Sequence, residues 1–319
     1  LAYMGLTIGG GLLLFAQRAG RIEPQGQMLP FSREGMIVAQ NLFVLTACAT
    51  VLLGTLYPLL AEWMAGDKIT VGAPYFNATF LPLMGLPLLL AGIAMFVPWQ
   101  RGNFNISLMQ TTPAALAAFA TVLLVAAFAQ PVWMAGLAGF FLAAWLGVGS
   151  LQYVLKQHKQ RQAWSVATAH LGVAVLVAGI TGSSLWKVEH EQWVAPGETV
   201  AFAGYHMVYQ SQKAIETPQY KAERATILLQ TESGQHVATL YPEYRRYAKR
   251  GATTSEAAIH SAYGNDWYVV IGDQSVDGKR TAMRLYYKPM IGFIWLGFVL
   301  MALSGIISFN KKKHDAVTI

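Results

Sequence analysis

Residues 164–185 read WSVATAHLGVAVLVAGITGSSL, an apolar run with no Asp, Glu, Lys or Arg and a single titratable side chain, His170. About 20 such residues cross the roughly 30 Å of a bilayer's hydrocarbon as a helix. The chain then changes character: between Trp186 and Lys288 the apolar runs shorten, charges of both signs enter, and turn residues separate alternating stretches, the pattern of antiparallel strands. From Pro289 to Phe309 the chain is apolar again. Working upstream, five more apolar stretches stand out: Leu1–Phe15, Met36–Leu60, Phe80–Val97, Pro113–Ala129 and Pro131–Val148. The fold class expected is therefore a polytopic α-helical membrane protein of about seven spans, with a β-rich domain between the last two. In residues, 1–185 is a bundle of six spans, 186–288 the β domain, 289–309 the last helix and 310–319 a tail.

Composition agrees, because 54% of the 319 residues are hydrophobic and only 12% charged, against roughly 25% charged in a soluble domain. Trp63, Trp99, Trp133, Trp164 and Trp186 sit at the ends of the expected spans, where an indole prefers the headgroup region. Gln130-Pro131 predicts a tight turn that makes the fourth and fifth spans an antiparallel hairpin. Lys and Arg divide unevenly between alternate loops. Ten of them (Arg18, Arg21, Arg33, Arg101, Lys156, Lys159, Arg161, Lys311, Lys312, Lys313) fall on one side, and the short loops opposite carry only Lys68. The positive-inside rule puts the ten in the cytoplasm and the β domain outside, in the periplasm of a bacterial inner membrane. The same rule accounts for the net charge of +7 without any nucleic acid. Cys48 has no partner for a disulfide or a zinc site, and the chain opens at Leu1 inside an apolar run, as part of a longer protein or the product of a divided gene would.

Within the outer domain, strands are expected at Thr199–Ala203, Tyr205–Gln210, Ala225–Gln230, His236–Tyr241, Trp267–Ile271 and Thr281–Tyr287. Turns are expected at Glu232-Ser233-Gly234 and Asp277-Gly278. The segment containing Tyr241, Tyr244, Arg245, Arg246, Tyr247, Lys249 and Arg250 reads either as a clamp for carboxylates or an acidic partner, with Arg245 and Arg246 in the docking role, or as a charged loop anchored by its tyrosines. His170 is the main candidate site residue. An imidazole about 9 Å along the helix from Trp164 is costly in hydrocarbon, and it serves as a metal or haem ligand, as a proton relay, or as a neutral bridge to a neighbouring helix. His190, His206, His236 and His260 lack metal-site spacing, and His158 and His314 belong to solvated segments. No Ser/His/Asp set, phosphate loop or HExxH string is present.

The chain resembles the CcmF-type proteins of cytochrome c maturation, including the nitrite-reductase-dedicated NrfE branch, over nearly its whole length. The resemblance rests on Ser32-Arg33-Glu34, Gly54-Thr55-Leu56-Tyr57-Pro58, Pro74-Tyr75-Phe76-Asn77, Ala169-His170-Leu171-Gly172, Ile180-Thr181-Gly182-Ser183-Ser184, Ser255-Glu256-Ala257-Ala258-Ile259 and Leu285-Tyr286-Tyr287-Lys288-Pro289. It implies a haem lyase component that attaches haem through thioether bonds to the CxxCH motif of apocytochrome c. It also implies that His170 is one of two axial ligands to a membrane-embedded haem b, hence to its iron. The partners it implies are a periplasmic haem chaperone, apocytochrome c with its thiol-handling proteins, and the N-terminal half of the same protein. The family's tryptophan-rich WWD segment, its flanking histidines and the second haem b ligand do not occur among these residues, so that half must supply them. The reading from a different class is a non-catalytic scaffold or transport subunit whose outer domain docks partners.

Overall fold

The computed structural model describes residues 2–20, 29–66, 68–99, 104–129, 133–247 and 251–309. Arg21, Arg101, the Gln130-Pro131 turn, Lys249, Arg250 and the 310–319 tail, with its three lysines and His314, lie outside the described residues. The elements run α1 (Ala2–Ala19), α2 (Arg33–Ala65), α3 (Ala73–Ala94), α4 (Phe104–Gln110), α5 (Thr112–Phe128), α6 (Met134–Gln157), α7 (Arg161–Leu185), ten strands, and α8 (Ile291–Phe309). Helices α2, α3, α6, α7 and α8 are long and apolar enough to cross a membrane, whereas α5 is apolar but has 17 residues. The spans expected at Phe80–Val97 and Pro131–Val148 are shifted: α3 starts earlier, with Pro74 in its first turn, where a proline's missing N–H costs nothing. Helix α6 runs on through the polar Gln152 and Lys156 to Gln157.

By contacts the chain divides into residues 1–110 and 111–319. In the first unit Ser32 caps α2, its hydroxyl accepting from the Gly35 N–H at 3.2 Å, which satisfies one orphan donor of the first turn. Arg33 lies over the Trp99 ring at 5.4 Å and donates to the Met95 carbonyl at 3.4 Å. Gly54 lets α3 approach α2, since a Cβ there would come within 2.5 Å of Tyr75, and the Tyr75 hydroxyl donates to the Thr50 carbonyl at 3.2 Å.

In the second unit α7 packs between α6 and α8. A Cβ on Gly172 would reach 2.8 Å from the Gly297 carbonyl of α8, and one on Gly179 would meet Ile294. On the opposite side of α7, Thr181 fills the space left by Gly139 of α6 and Leu185 that left by Gly136. Small residues at the contacts let backbones approach where lipid gives no hydrophobic drive for association.

The strands are β1 (Val188–Val194), β2 (Thr199–Phe202), β3 (Tyr205–Glu216), β4 (Tyr220–Thr231), β5 (His236–Leu240), β6 (Glu243–Tyr247), β7 (Thr253–Glu256), β8 (Ala258–Ala262), β9 (Asn265–Gln274) and β10 (Thr281–Lys288). They form two antiparallel sheets, one ordered β1-β10-β9-β8 and one ordered β2-β3-β4-β6-β7, with β5 also on β4. Alternate residues point inward: Met207 and Tyr209, Ala225, Ile227 and Leu229, Val269 and Ile271, Met283 and Leu285 build one core between the sheets. Tyr209 is wholly enclosed, its hydroxyl bonded to Gln212 and lying 3.3 Å from Thr281 Oγ1, and burial raises its pKa.

All six expected strands are present and both turns form, with Gly234 and Gly278 at positive φ. The expected boundaries understate β3 and β4, which extend as a long hairpin to Glu216 and Tyr220. Four strands were missed. Edge strand β1 is polar on both faces, so it shows no alternation. Strands β7 and β8 are short, and β6 is the Glu243–Tyr247 segment. The loop reading of that segment is corrected: it pairs in register with Tyr220–Arg224 of β4 and with Thr253–Glu256 of β7.

Candidate functional site

His170 lies in α7 on the side that carries Ala163, Ala167, Ala174 and Thr181, at spacings of three, four and seven residues. Ala174 and Thr181 on that stripe face Gly147 and Gly139 of α6, so the imidazole lies on the side of α7 turned toward α6 and is half-buried. The α7–α8 contact is a separate stripe, held by Gly172, Gly179 and a hydrogen bond from the Ser165 hydroxyl to the Ser304 carbonyl at 2.9 Å.

His170 Nδ1 is 2.9 Å from the carbonyl oxygen of Val166, one turn earlier. A carbonyl only accepts, so Nδ1 carries the proton, and in the neutral ring Nε2 carries the lone pair. An imidazole whose Nδ1–H is held by a backbone carbonyl is oriented to present Nε2 to a metal, with its basicity raised. No three His, Cys, Asp or Glu side chains converge on one point among the described residues. A haem iron takes four ligands from its porphyrin, so it would need only one such imidazole from this chain. The donor and its tautomer therefore fit a haem-iron ligand.

The other histidines among the described residues lie apart from His170, in the outer domain or at the end of α6. His190 Nε2 is 3.1 Å from Gln192 Oε1, His236 Nε2 is 3.0 Å from Thr239 Oγ1, and His158 Nδ1 is 3.1 Å from the Leu155 carbonyl. His206 sits in β3 opposite Gln230, and the His260 ring lies 5.9 Å from that of Trp267.

The arginines of β6 separate. Arg245 is drawn into the sheet: its Nε donates to Glu243 at 2.8 Å, its Nη1 is 3.3 Å from Glu256, and its guanidinium covers the Tyr220 ring at 4.7 Å. Arg224 also pairs with Glu243, through Nε at 2.6 Å. Glu243 is only 5% exposed. Burial pushes its carboxyl up, but the hydrogen bonds and charges of Arg245 and Arg224 outweigh burial and hold it below the usual carboxylate range. Arg246, the next residue, is exposed and rests against Tyr244 at 5.6 Å. It borders a groove of about 650 Å³ shared with Glu216, Lys221, Glu223 and Tyr247. Sequence reading missed Glu243 as the centre of this network. The signal was its place at the head of a tyrosine-rich string, which is strand rather than loop composition.

Comparison with known proteins places these features. Residues 185–289 match the family model described as the CcmF C-terminal beta-sandwich. The cytochrome c-type biogenesis protein CcmF of Pseudomonas aeruginosa is 35% identical over 98% of this chain and 49% of its own length. The Escherichia coli protein of the same name is 32% identical over 98% and 49%. The NrfE protein of Haemophilus influenzae is 30% identical over 95% and 48%. A solved structure named cytochrome c heme lyase CcmF shares the fold with a TM-score of 0.67 at 22% identity, covering 93% of this chain and 49% of that one. The chain thus spans about half the length of the relatives it matches, and over that half it is similar to the CcmF-type cytochrome c-type biogenesis proteins.

Proposed function

We propose that the chain is the sandwich-bearing, C-terminal part of a haem lyase of cytochrome c maturation, and that His170 is an axial ligand to a haem b held in its membrane bundle. The observation that carries this reading is the bond between His170 Nδ1 and the Val166 carbonyl, which fixes the tautomer with its lone pair on Nε2. The names of the similar proteins supply the reaction class, a haem lyase in cytochrome c biogenesis; attachment to apocytochrome c by thioether bonds is what the family resemblance implies.

Haem b, when bound, supplies a one-electron couple, suited to keeping the transferred haem reduced. The chain's own contribution is to hold the imidazole through its Nδ1–H on the Val166 carbonyl and to keep it beside the close-packed α6–α7 contact. The second axial ligand and the segment that presents the incoming haem come from the N-terminal half. In this reading seven helices span a bacterial inner membrane, the ten basic residues lie in the cytoplasm, and the sandwich stands in the periplasm. There it meets the haem chaperone, apocytochrome c and its thiol-handling proteins. Of the two arginines, Arg246 is the one available for docking, because Arg245 is engaged by Glu243 and Glu256.

The test is holocytochrome c yield in cells that depend on the assembled protein. His170→Ala is expected to lower covalent haem attachment severalfold while the protein stays in the membrane at normal abundance. Unchanged yield with unchanged haem content would remove the ligand role and favour a scaffold.

A further inference from the structure

The hairpin turn between β8 and β9 holds a bulky residue in a conformation that bulky residues avoid. Tyr263 has φ 52 and Gly264 φ 77, so both central residues are left-handed, as a two-residue type I′ turn requires. Asn-Gly is the usual solution there, and an aromatic at the first position is strained. The side chain recovers nothing within the domain, because Tyr263 is 98% exposed.

The turn is fixed to a membrane helix. The Gly292 N–H donates to the Gly264 carbonyl at 2.9 Å, and the Met290 N–H donates to Asn265 Oδ1 at 3.0 Å. A Cβ on Gly292 would come within 2.7 Å of Gly264 Cα, so only glycine permits this approach. Tyr263 is thereby held level with the first turn of α8.

The turn also overhangs one particular side of α8. Gly292, Trp295, Leu296, Val299, Leu303 and Ile306 recur at three- and four-residue spacing and share that side, and the five large side chains among them are exposed. Gly297, which meets Gly172 of α7, lies on the other side. Helix contacts in this bundle are made through glycine and other small residues, whereas the side beneath Tyr263 is built of large flexible apolar groups, as a surface facing acyl chains is. A phenol, apolar in its ring and polar at its tip, suits the layer directly above such a surface.

We propose that the Tyr263-Gly264 turn is a bilayer anchor: Tyr263 lies among the lipid headgroups, above an acyl-chain-facing side of α8, and fixes the depth of the sandwich against the membrane. The proposal rests on α8 being a span. The test uses the full-length protein on a cysteine-free background, reconstituted in vesicles of phosphatidylcholine and phosphatidylglycerol. Nitroxide labels are placed at Tyr263→Cys, at Leu303→Cys in mid-helix and at Gln219→Cys in the β3–β4 turn at the other end of the sandwich, and collision with oxygen and with a water-soluble nickel chelate is measured. The expected result is an oxygen-to-nickel ratio at 263 between those at 303 and 219, and severalfold above that at 219. A ratio at 263 equal to that at 219, with 303 reading as hydrocarbon, overturns the anchor alone. Low collision with both agents at 263 means a protein partner covers the turn and overturns it too. A water-like reading at 303 overturns the span and the anchor with it.

Discussion

The sandwich and the α6–α8 bundle are packed by opposite rules. Between the sheets the largest enclosed side chains are Tyr209, Met207, Ile227, Leu229, Ile271, Met283 and Leu285. Between the helices the contact positions are Gly136, Gly139, Gly172, Gly179 and Gly182, while Leu296, Val299 and Ile306 stand outside. The difference stems from the solvent: large apolar groups gain by leaving water, at about 25 cal/mol per Å², but gain little by leaving lipid for another helix, so there the close approach of backbones decides.

Truncation should separate the two regions most sharply. Leu229→Ala, in the sandwich core, is expected to cost about 2–5 kcal/mol through lost transfer energy and a cavity. The same change at Leu296 on α8 should cost less than about 0.5 kcal/mol, as read by denaturant unfolding in lipid-like micelles with a sandwich-specific probe and a helix-specific one. Equal losses would contradict the contrast. The reverse change tests the bundle: Gly172→Val, whose Cβ meets the Gly297 carbonyl, should force α7 from α8 at a cost of about 1–3 kcal/mol. Disulfide formation between Ser165→Cys and Ser304→Cys, efficient in the parent, should then fall.

The sandwich is further distinguished by its buried charge. Because the Glu243 pKa is lowered on folding, its contribution is present above the ordinary carboxylate pKa and is lost as pH falls through the lowered folded value. Unfolding followed from pH 7 down to pH 2 should show an acid-side loss of sandwich stability that Glu243→Gln reduces, at a cost of about 1–3 kcal/mol at neutral pH for two arginines left without their carboxylate. A smaller asymmetry is expected within β6: Arg245→Ala should destabilise the sandwich by about 1–2 kcal/mol through the exposed edge of that network, and Arg246→Ala by less than about 0.5 kcal/mol. Matched effects in thermal melts would dissolve the distinction between a structural and an available arginine.

How far each region is legible in the amino-acid sequence obeys the same division. The helices announce themselves as long apolar runs, and the inner strands β3, β4, β9 and β10 by an alternation that reports one buried face. Strands β1 and β6 do not, because an edge strand and a strand of ion pairs expose polar groups on both faces and carry no period-two signal. His170 stands out as a titratable group in an apolar run, but its tautomer depends on the backbone oxygen one turn back. The structural role of Arg245 depends on Glu256, which reaches it only through the pairing of β6 with β7. The Tyr263 anchor is hidden for a similar reason: nothing in Tyr263-Gly264 or Gly292 alone says that the two glycines touch.

The most direct test of the account is a reduced-minus-oxidised absorbance spectrum of the protein purified with its N-terminal half, with a pyridine haemochrome assay of the same sample. The account predicts a b-type spectrum that is lost or strongly reduced in His170→Ala while the assembly stays intact. A stable assembly with no haem, or one whose b-type spectrum and haem stoichiometry are unchanged by His170→Ala, would contradict it.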